Sequence, residues 1–312
     1  MTSRHFLTLQ DVSEDELRGL LLEASRMKSD RSRAQNVLKG KTVALIFQKP
    51  SMRTRVACEV AVQQLAGSVI YLGKEDIQLG QREPIKDVAR VISRYVDGVV
   101  VRMFAHREVE EFARYATVPV INGLSDSAHP CQAVADLLTI QEQMGRLRGV
   151  RLAYIGDGNN VLHSLMNGCA MLGVNLAVAT PTRYRPDRGI WEQARQSARK
   201  HGGSLRWEED PREAARGAQV VYTDVWISMG QERERAARRQ AFGRYQLNPT
   251  LLKRASVDCR IMHCLPAHRG EEITEEVMES SGSVIFDQAE NRLHVHKAIL
   301  VFLMTKRKKH TR

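Results

Sequence analysis

Short β-branched and apolar runs alternate with helix-patterned segments along this chain, and the alternation occurs twice. KTVALIF (41–47), SVIYLG (68–73), GVVVRMF (98–104) and VPVING (118–123) read as strands. Between them RTRVACEVAVQQLAG, IKDVARVISRYV and EVEEFARYA carry apolar residues at helical spacing. The pattern restarts after Gly149. RLAYIGDG, NLAVATP, VVYTDVW, RIMHCLP and VIFD read as strands, and NVLHSLMNGCAMLG, IWEQARQSARKHGG and PREAARGA as helices. Strand–helix alternation requires parallel sheets covered by helices. The expected fold class is therefore α/β with two domains, each a parallel sheet flanked by helices. Two helices should join them. One begins near Pro130 (HPCQAVADLLTIQEQ), where proline suits the first turn, and one runs over about 291–305. The expected division is 1–128, completed by 291–312, and 129–290. Residues 230–247 are polar and Arg-rich and read as a mobile helical loop.

At 312 residues with 43% hydrophobic content, the chain can build two cores. The apolar run Ala298–Met304 is far shorter than the roughly 20 residues a spanning helix needs, and residues 1–17 are too charged for a leader. A soluble, cytoplasmic protein with no membrane partner is expected. The cysteines Cys58, Cys131, Cys169, Cys259 and Cys264 are odd in number and unpaired in spacing, so free thiols and no metal site are expected. The net charge of +11 admits a nucleic-acid binder. However, acidic and basic residues are mixed except in Lys306–Arg312, and no nucleic-acid-binding motif is visible, so none is expected as a partner. A positive field equally suits an enzyme with a phosphate substrate.

In open parallel sheets, ligands bind beyond the carboxyl ends of the strands, so the residues there are the candidates. Ser51-Met52-Arg53-Thr54-Arg55 opens a helix directly after a strand. Free amides, two hydroxyls and an arginine at a helix start make a phosphate site. Cations are disfavoured there by the helix dipole, so arginines in that turn call for an anion. Arg55 and Glu59 are four apart and are read as a structural pair. Arg102 ends an apolar strand. His129-Pro130-Cys131-Gln132 places an imidazole and an amide at a helix start. Asp224, with Ser228 beyond it, follows a strand and is either an ammonium ligand or a helix cap. Cys264 ends another strand, as a reactive thiol or a core residue. Arg292 is read at the start of the last helix. Arg53, Arg102 and Arg292, from distant parts of the chain, point to one anion pocket.

SMRTR, HPCQ, GDGNN, DVWISMG, HCLPAHRGEE and AENR occur in this order across nearly the whole chain. Together they resemble the ornithine carbamoyltransferases of the aspartate/ornithine transcarbamoylase family. The resemblance implies transfer of a carbamoyl group from carbamoyl phosphate to the side-chain amine of L-ornithine, giving citrulline. It implies a homotrimer, or multiple of trimers, with shared active sites and no cofactor. By matching position, Ser51, Met52, Arg53 and Thr54 wrap the phosphate. Arg102, His129, Pro130, Cys131, Gln132, Cys264, Leu265 and Arg292 also border carbamoyl phosphate. Asn160, Asp224, Ser228 and Met229 match ornithine-binding positions, and Gln78 matches a residue that reaches a neighbouring subunit's site. Arg102, His129, Asp224 and Cys264 are the expected catalytic groups. Met103, Ala57-Cys58 and Ser127-Ala128 depart from the common pattern. Sister enzymes acting on putrescine, acetylornithine or aspartate are the alternative, and HCLPAHRGEE leans towards biosynthetic members.

Overall fold

The computed structural model describes residues 3–305 apart from 31, 81 and 229. Nine strands are present among them: β1 (Thr42–Phe47), β2 (Ser68–Leu72), β3 (Gly98–Arg102), β4 (Val120–Leu124), β5 (Arg151–Ile155), β6 (Asn175–Ala179), β7 (Ser204–Glu208), β8 (Val220–Thr223) and β9 (Arg260–His263). The helices of eight or more residues are α1 (Glu14–Ser29), α2 (Met52–Gln64), α3 (Ile85–Ile92), α4 (His106–Tyr115), α5 (Pro130–Met144), α6 (Asn160–Leu172), α7 (Arg188–Lys200), α8 (Arg235–Phe242) and α9 (Ile285–Met304). The chain divides into two compact units, 1–134 with 291–312 and 135–290. The division falls inside α5 and inside α9.

The first unit holds a four-stranded sheet ordered β2-β1-β3-β4, and the second a five-stranded sheet ordered β7-β6-β5-β8-β9. Every paired strand is parallel. β3 is buried at all five positions, as a strand covered on both faces must be. This explains the unbroken Val99-Val100-Val101. In each sheet the chain order reverses at one strand. β1 has β2 on one side and β3 on the other, and β5 lies between β6 and β8. Such switch points leave a crevice at the strand ends. The segments leaving β1 and β3 carry Ser51–Thr54 and Arg102, and those leaving β5 and β8 carry GDGNN and Asp224.

Three expectations change. The run VIFD is not a strand. Val284 donates its N–H to Ile261 O, and the carbonyl of Val284 then accepts from Gln288 N at 2.9 Å as α9 begins. A short apolar run reads alike as a buried strand or a buried helix turn. α9 therefore starts at Ile285, not near Asn291, and Arg292 lies about two turns inside it rather than at its start. The segment 230–247 is not a loose excursion. α8 lies within it, and Arg238, Phe242, Tyr245 and Leu247 are buried. β7 was not read from the sequence. It pairs only with β6 at the sheet edge, and Arg206 interrupts its apolar pattern. Arg55 and Glu59 pair at 2.8 Å, as their spacing indicates. All five cysteines are free. No described helix is long and apolar enough to cross a membrane.

The GDGNN turn leaves no room at Gly158. A Cβ there would lie 2.4 Å from both Arg185 C and Pro186 N, which are backbone atoms that cannot swing aside. Gly158→Ala should therefore destabilise the protein by about 3 kcal/mol or more in urea denaturation. Gly19, inside α1, has open space around the same position. Gly19→Ala should instead stabilise by about 0.5–1 kcal/mol through helix propensity alone.

Candidate active site

In the first unit the site is built on the start of α2. Ser51 is its N-cap, and its Oγ accepts from Thr54 N at 3.2 Å. Met52 is exposed and Arg53 half-buried. Thr54 is fully buried, and its Oγ1 accepts from Arg102 Nη1 at 3.4 Å and Arg292 Nη2 at 2.5 Å. Arg102 and Arg292 are 8% and 3% exposed. The last residue of β3 and a residue deep in α9 thus meet on one hydroxyl at the head of α2.

His129 lies among the same groups. Burial, then the charges of Arg292 and Arg102, then His296 and Arg53, hold its imidazole well below the usual histidine range. It is therefore neutral at pH 7 and can donate and accept hydrogen bonds without adding charge. Three guanidiniums around a neutral imidazole and a buried hydroxyl, above the free amides of a helix, form a receptor for a compact multivalent anion. Cys131 and Gln132 are buried beside His129 at the start of α5. Lys49, missed in the sequence, is also buried here. Burial first, and then Arg102, lower its pKa. Gln78 is exposed at the end of the short turn Lys74–Ile77, in a left-handed conformation with φ 47°.

In the second unit Asp224 is the centre. It is 4% exposed, and both its oxygens are engaged. Oδ1 accepts from Val225 N at 2.8 Å and from the Cys264 thiol at 2.9 Å, while Oδ2 accepts from Asn159 Nδ2 at 2.7 Å. The carboxylate is thus fixed in orientation rather than capping a helix. Burial, followed by Asp224, pushes the Cys264 thiol well above its ordinary pKa. Cys264 is therefore a neutral donor at pH 7, not a thiolate nucleophile. His263 accepts the N–H of Leu265 on Nδ1 at 2.8 Å, so its Nε2 donates to the buried Glu272 at 3.0 Å. Leu265 is half-buried with φ 57°.

Asn160 is the first residue of α6, whereas its neighbour Asn159 both caps α6 and binds Asp224. The doubled Asn of GDGNN was the available signal for Asn159. Ser228 is half-buried, with its N–H on Gln231 Oε1 at 3.0 Å. Met229 lies outside the described residues, as does Lys306–Arg312. Arg238 was also missed. It donates to Asp157 Oδ2 and Trp226 O, both at 2.9 Å, and so ties the GDGNN turn to the loop after β8.

An anion cradle in one α/β unit and an oriented carboxylate with a neutral thiol in the other define a group-transfer enzyme. Residues 4–142 match the family described as aspartate/ornithine carbamoyltransferase, carbamoyl-P binding domain, and residues 148–303 its Asp/Orn binding domain. The chain belongs to the aspartate/ornithine carbamoyltransferase family. It is 52% identical over 306 residues to an ornithine carbamoyltransferase of Thermococcus kodakarensis, covering 97% of each chain. It is 50% identical to the anabolic ornithine carbamoyltransferase of Pyrococcus furiosus, again covering 97% of each. The solved structure of the Pyrococcus furiosus enzyme superposes with a TM-score of 0.94 at 50% identity and 97% coverage of each chain.

His296, next to this cluster, is 1% exposed and donates from Nδ1 to Arg292 O at 2.6 Å. Burial, then Arg292, lowers its pKa to about 4. Between about 6.5 and about 4 the unfolded chain binds a proton at this histidine that the folded chain refuses. Stability from this group is therefore complete above the unfolded value and lost as pH falls through that window, with His129 acting in the same direction. His296→Gln should lose on the order of 3 kcal/mol less than the parent across the window, measured by urea denaturation. Equal losses would show that His296 is not held neutral.

Proposed function

We propose that the chain transfers the carbamoyl group of carbamoyl phosphate to the side-chain amine of L-ornithine, giving L-citrulline and phosphate, in the biosynthetic direction. The convergence of Arg53, Arg102 and Arg292 on Thr54 and His129 carries this reading. Ser51, Met52, Arg53 and Thr54 hold the phosphate. Arg102, His129 and Thr54 Oγ1 face the carbonyl, with Pro130, Cys131, Gln132, Cys264, Leu265 and Arg292 bordering the donor. Asp224, Asn160, Ser228 and Met229 hold ornithine.

Neutral Nδ of ornithine attacks the carbamoyl carbon, and negative charge grows on the carbonyl oxygen. Donors already fixed in a dry site stabilise that charge at no cost in reorganisation. Phosphate leaves towards Arg53 and the α2 amides. The attacking amine has a solution pKa near that of lysine, about 10.4, so binding must select or create its neutral form. Asp224, already holding two neutral donors and a backbone amide, is placed to take a hydrogen bond from an amine. Burial, with its pairing to Asp224, keeps the Cys264 thiol protonated and out of competition as a nucleophile.

Citrulline formation should be measured with ornithine, putrescine, N-acetylornithine and aspartate in turn. Ornithine should exceed putrescine by about a hundredfold or more in kcat/KM, because losing the carboxylate leaves its partners unpaired. Equal rates with putrescine, or a higher rate with N-acetylornithine or aspartate, would move the assignment to a sister enzyme.

The proposal extends to a cytoplasmic homotrimer, or a multiple of trimers, in which Gln78 completes the carbamoyl phosphate site of a neighbouring subunit. An exposed polar side chain held in a left-handed turn supports this, as does the long connection between β2 and α3 that carries it. Arg53→Ala should lower kcat/KM on the order of a thousandfold, and Gln78→Ala should also be impaired. Refolding the two variants together should restore activity in hybrid sites. A mixture no better than its parents would rule out a shared site.

A further inference from the structure

A second layer of buried polar groups lies beneath Asp224 and Cys264. Asp136, on α5, is fully buried. Its Oδ2 accepts from the Tyr222 hydroxyl at 3.1 Å and its Oδ1 from Gln288 Nε2 at 2.7 Å. Gln288 Oε1 in turn accepts the backbone N–H of His263 at 2.9 Å. Tyr222, His263 and Gln288 are also fully buried.

The positions of these contacts matter. Tyr222 lies in β8 two residues before Asp224, which leaves the end of that strand. His263 immediately precedes Cys264, and β9 is the edge strand, so its outward amide needs a partner that no further strand supplies. Gln288 satisfies it. Thr223 is in register with His263, which brings the ends of β8 and β9 together where Asp224 and Cys264 emerge. A buried carboxylate costs folding free energy that a well-packed apolar residue in its place would not. Its donors come from the strand that carries Asp224 and from the glutamine that fixes the strand carrying Cys264.

We propose that Asp136 and Tyr222 are positioning residues for the ornithine-binding group. Through the Tyr222 hydroxyl and Gln288, the Asp136 carboxylate fixes the ends of β8 and β9 so that the Cys264 thiol meets Asp224 Oδ1. Oδ2 of Asp224 is then the oxygen presented to the incoming amine, beside Asn159. The inference deepens the functional reading above and rests on it for its substrate.

The test is Tyr222→Phe in the full chain, with Asp136→Asn as a second variant that keeps the shape and one acceptor oxygen. In Tyr222→Phe the KM for ornithine should rise about tenfold while that for carbamoyl phosphate stays within about twofold. A merely structural defect would move both. Alkylation of Cys264 by iodoacetamide, followed by peptide mass spectrometry, should accelerate severalfold as the thiol loses its fixed partner. Asp136→Asn should show the same split to a smaller degree. An unchanged ornithine KM with unchanged Cys264 alkylation would overturn the proposal, as would an equal rise in both KM values. If the parent protein fails to carbamoylate ornithine, the functional reading fails, and the alkylation rate still decides this one.

Discussion

The first unit is organised around a like-charge cluster. Arg53, Arg102 and Arg292 all act on His129, and two of them share the hydroxyl of Thr54. Guanidiniums gathered in a buried place repel one another and lose hydration, and a bound dianion relieves both costs. The cluster is assembled by three regular elements: the buried strand β3, the head of α2 and α9 about two turns from its start. Donors held by regular structure need little reorganisation when charge develops beside them. His129 is neutral in this setting, where another cation would add repulsion without adding a donor the arginines lack.

The second unit uses the opposite device. One carboxylate, Asp224, is surrounded by donors of little or no charge: an amide side chain, a backbone N–H and a thiol. Such donors orient a carboxylate without neutralising it. An arginine in the same place would instead have paired with it charge for charge. Cysteine serves here because a thiol is a weak donor that burial keeps protonated, which is a different use from the nucleophilic one its position at a strand end suggests.

Much of this was legible in the sequence. Strand ends in an α/β chain are where function collects, and Ser51–Thr54, Arg102, His129, Asp224 and Cys264 all stand at such ends. Arginines in the first turn of a helix are a local contradiction of the dipole, and the contradiction is what singled out that turn as an anion-site candidate. Arg292 was grouped with the other two arginines from a helix start that the structure places elsewhere. It reaches Thr54 from inside α9, and a helix face is specified by tertiary packing rather than by a terminal signal. Asp136, Tyr222, Gln288, Glu272 and Arg238 were not legible. Their partners lie far along the chain, as between Asp157 and Arg238, and no local propensity marks a polar residue that satisfies another one buried beside it.

The Asp157–Arg238 pair shows why such contacts are retained. Burial raises the Asp157 carboxyl to about 6, and the adjacent Arg238 only partly reverses that rise. Desolvation outweighs attraction, so the pair is a poor source of stability at neutral pH. Its geometry explains its presence. Arg238 reaches the GDGNN turn through Asp157 and the loop after β8 through Trp226 O, while Glu234, just ahead of its helix, holds it at 3.0 Å. Those two loops supply Asn159 and Asp224, which must stand 2.7 Å apart. An apolar substitute could fill the space but could not bond to both loops at once. The charge is kept in the interior for placement, and the stability it forgoes is supplied by the apolar core around Phe242, Tyr245 and Leu247.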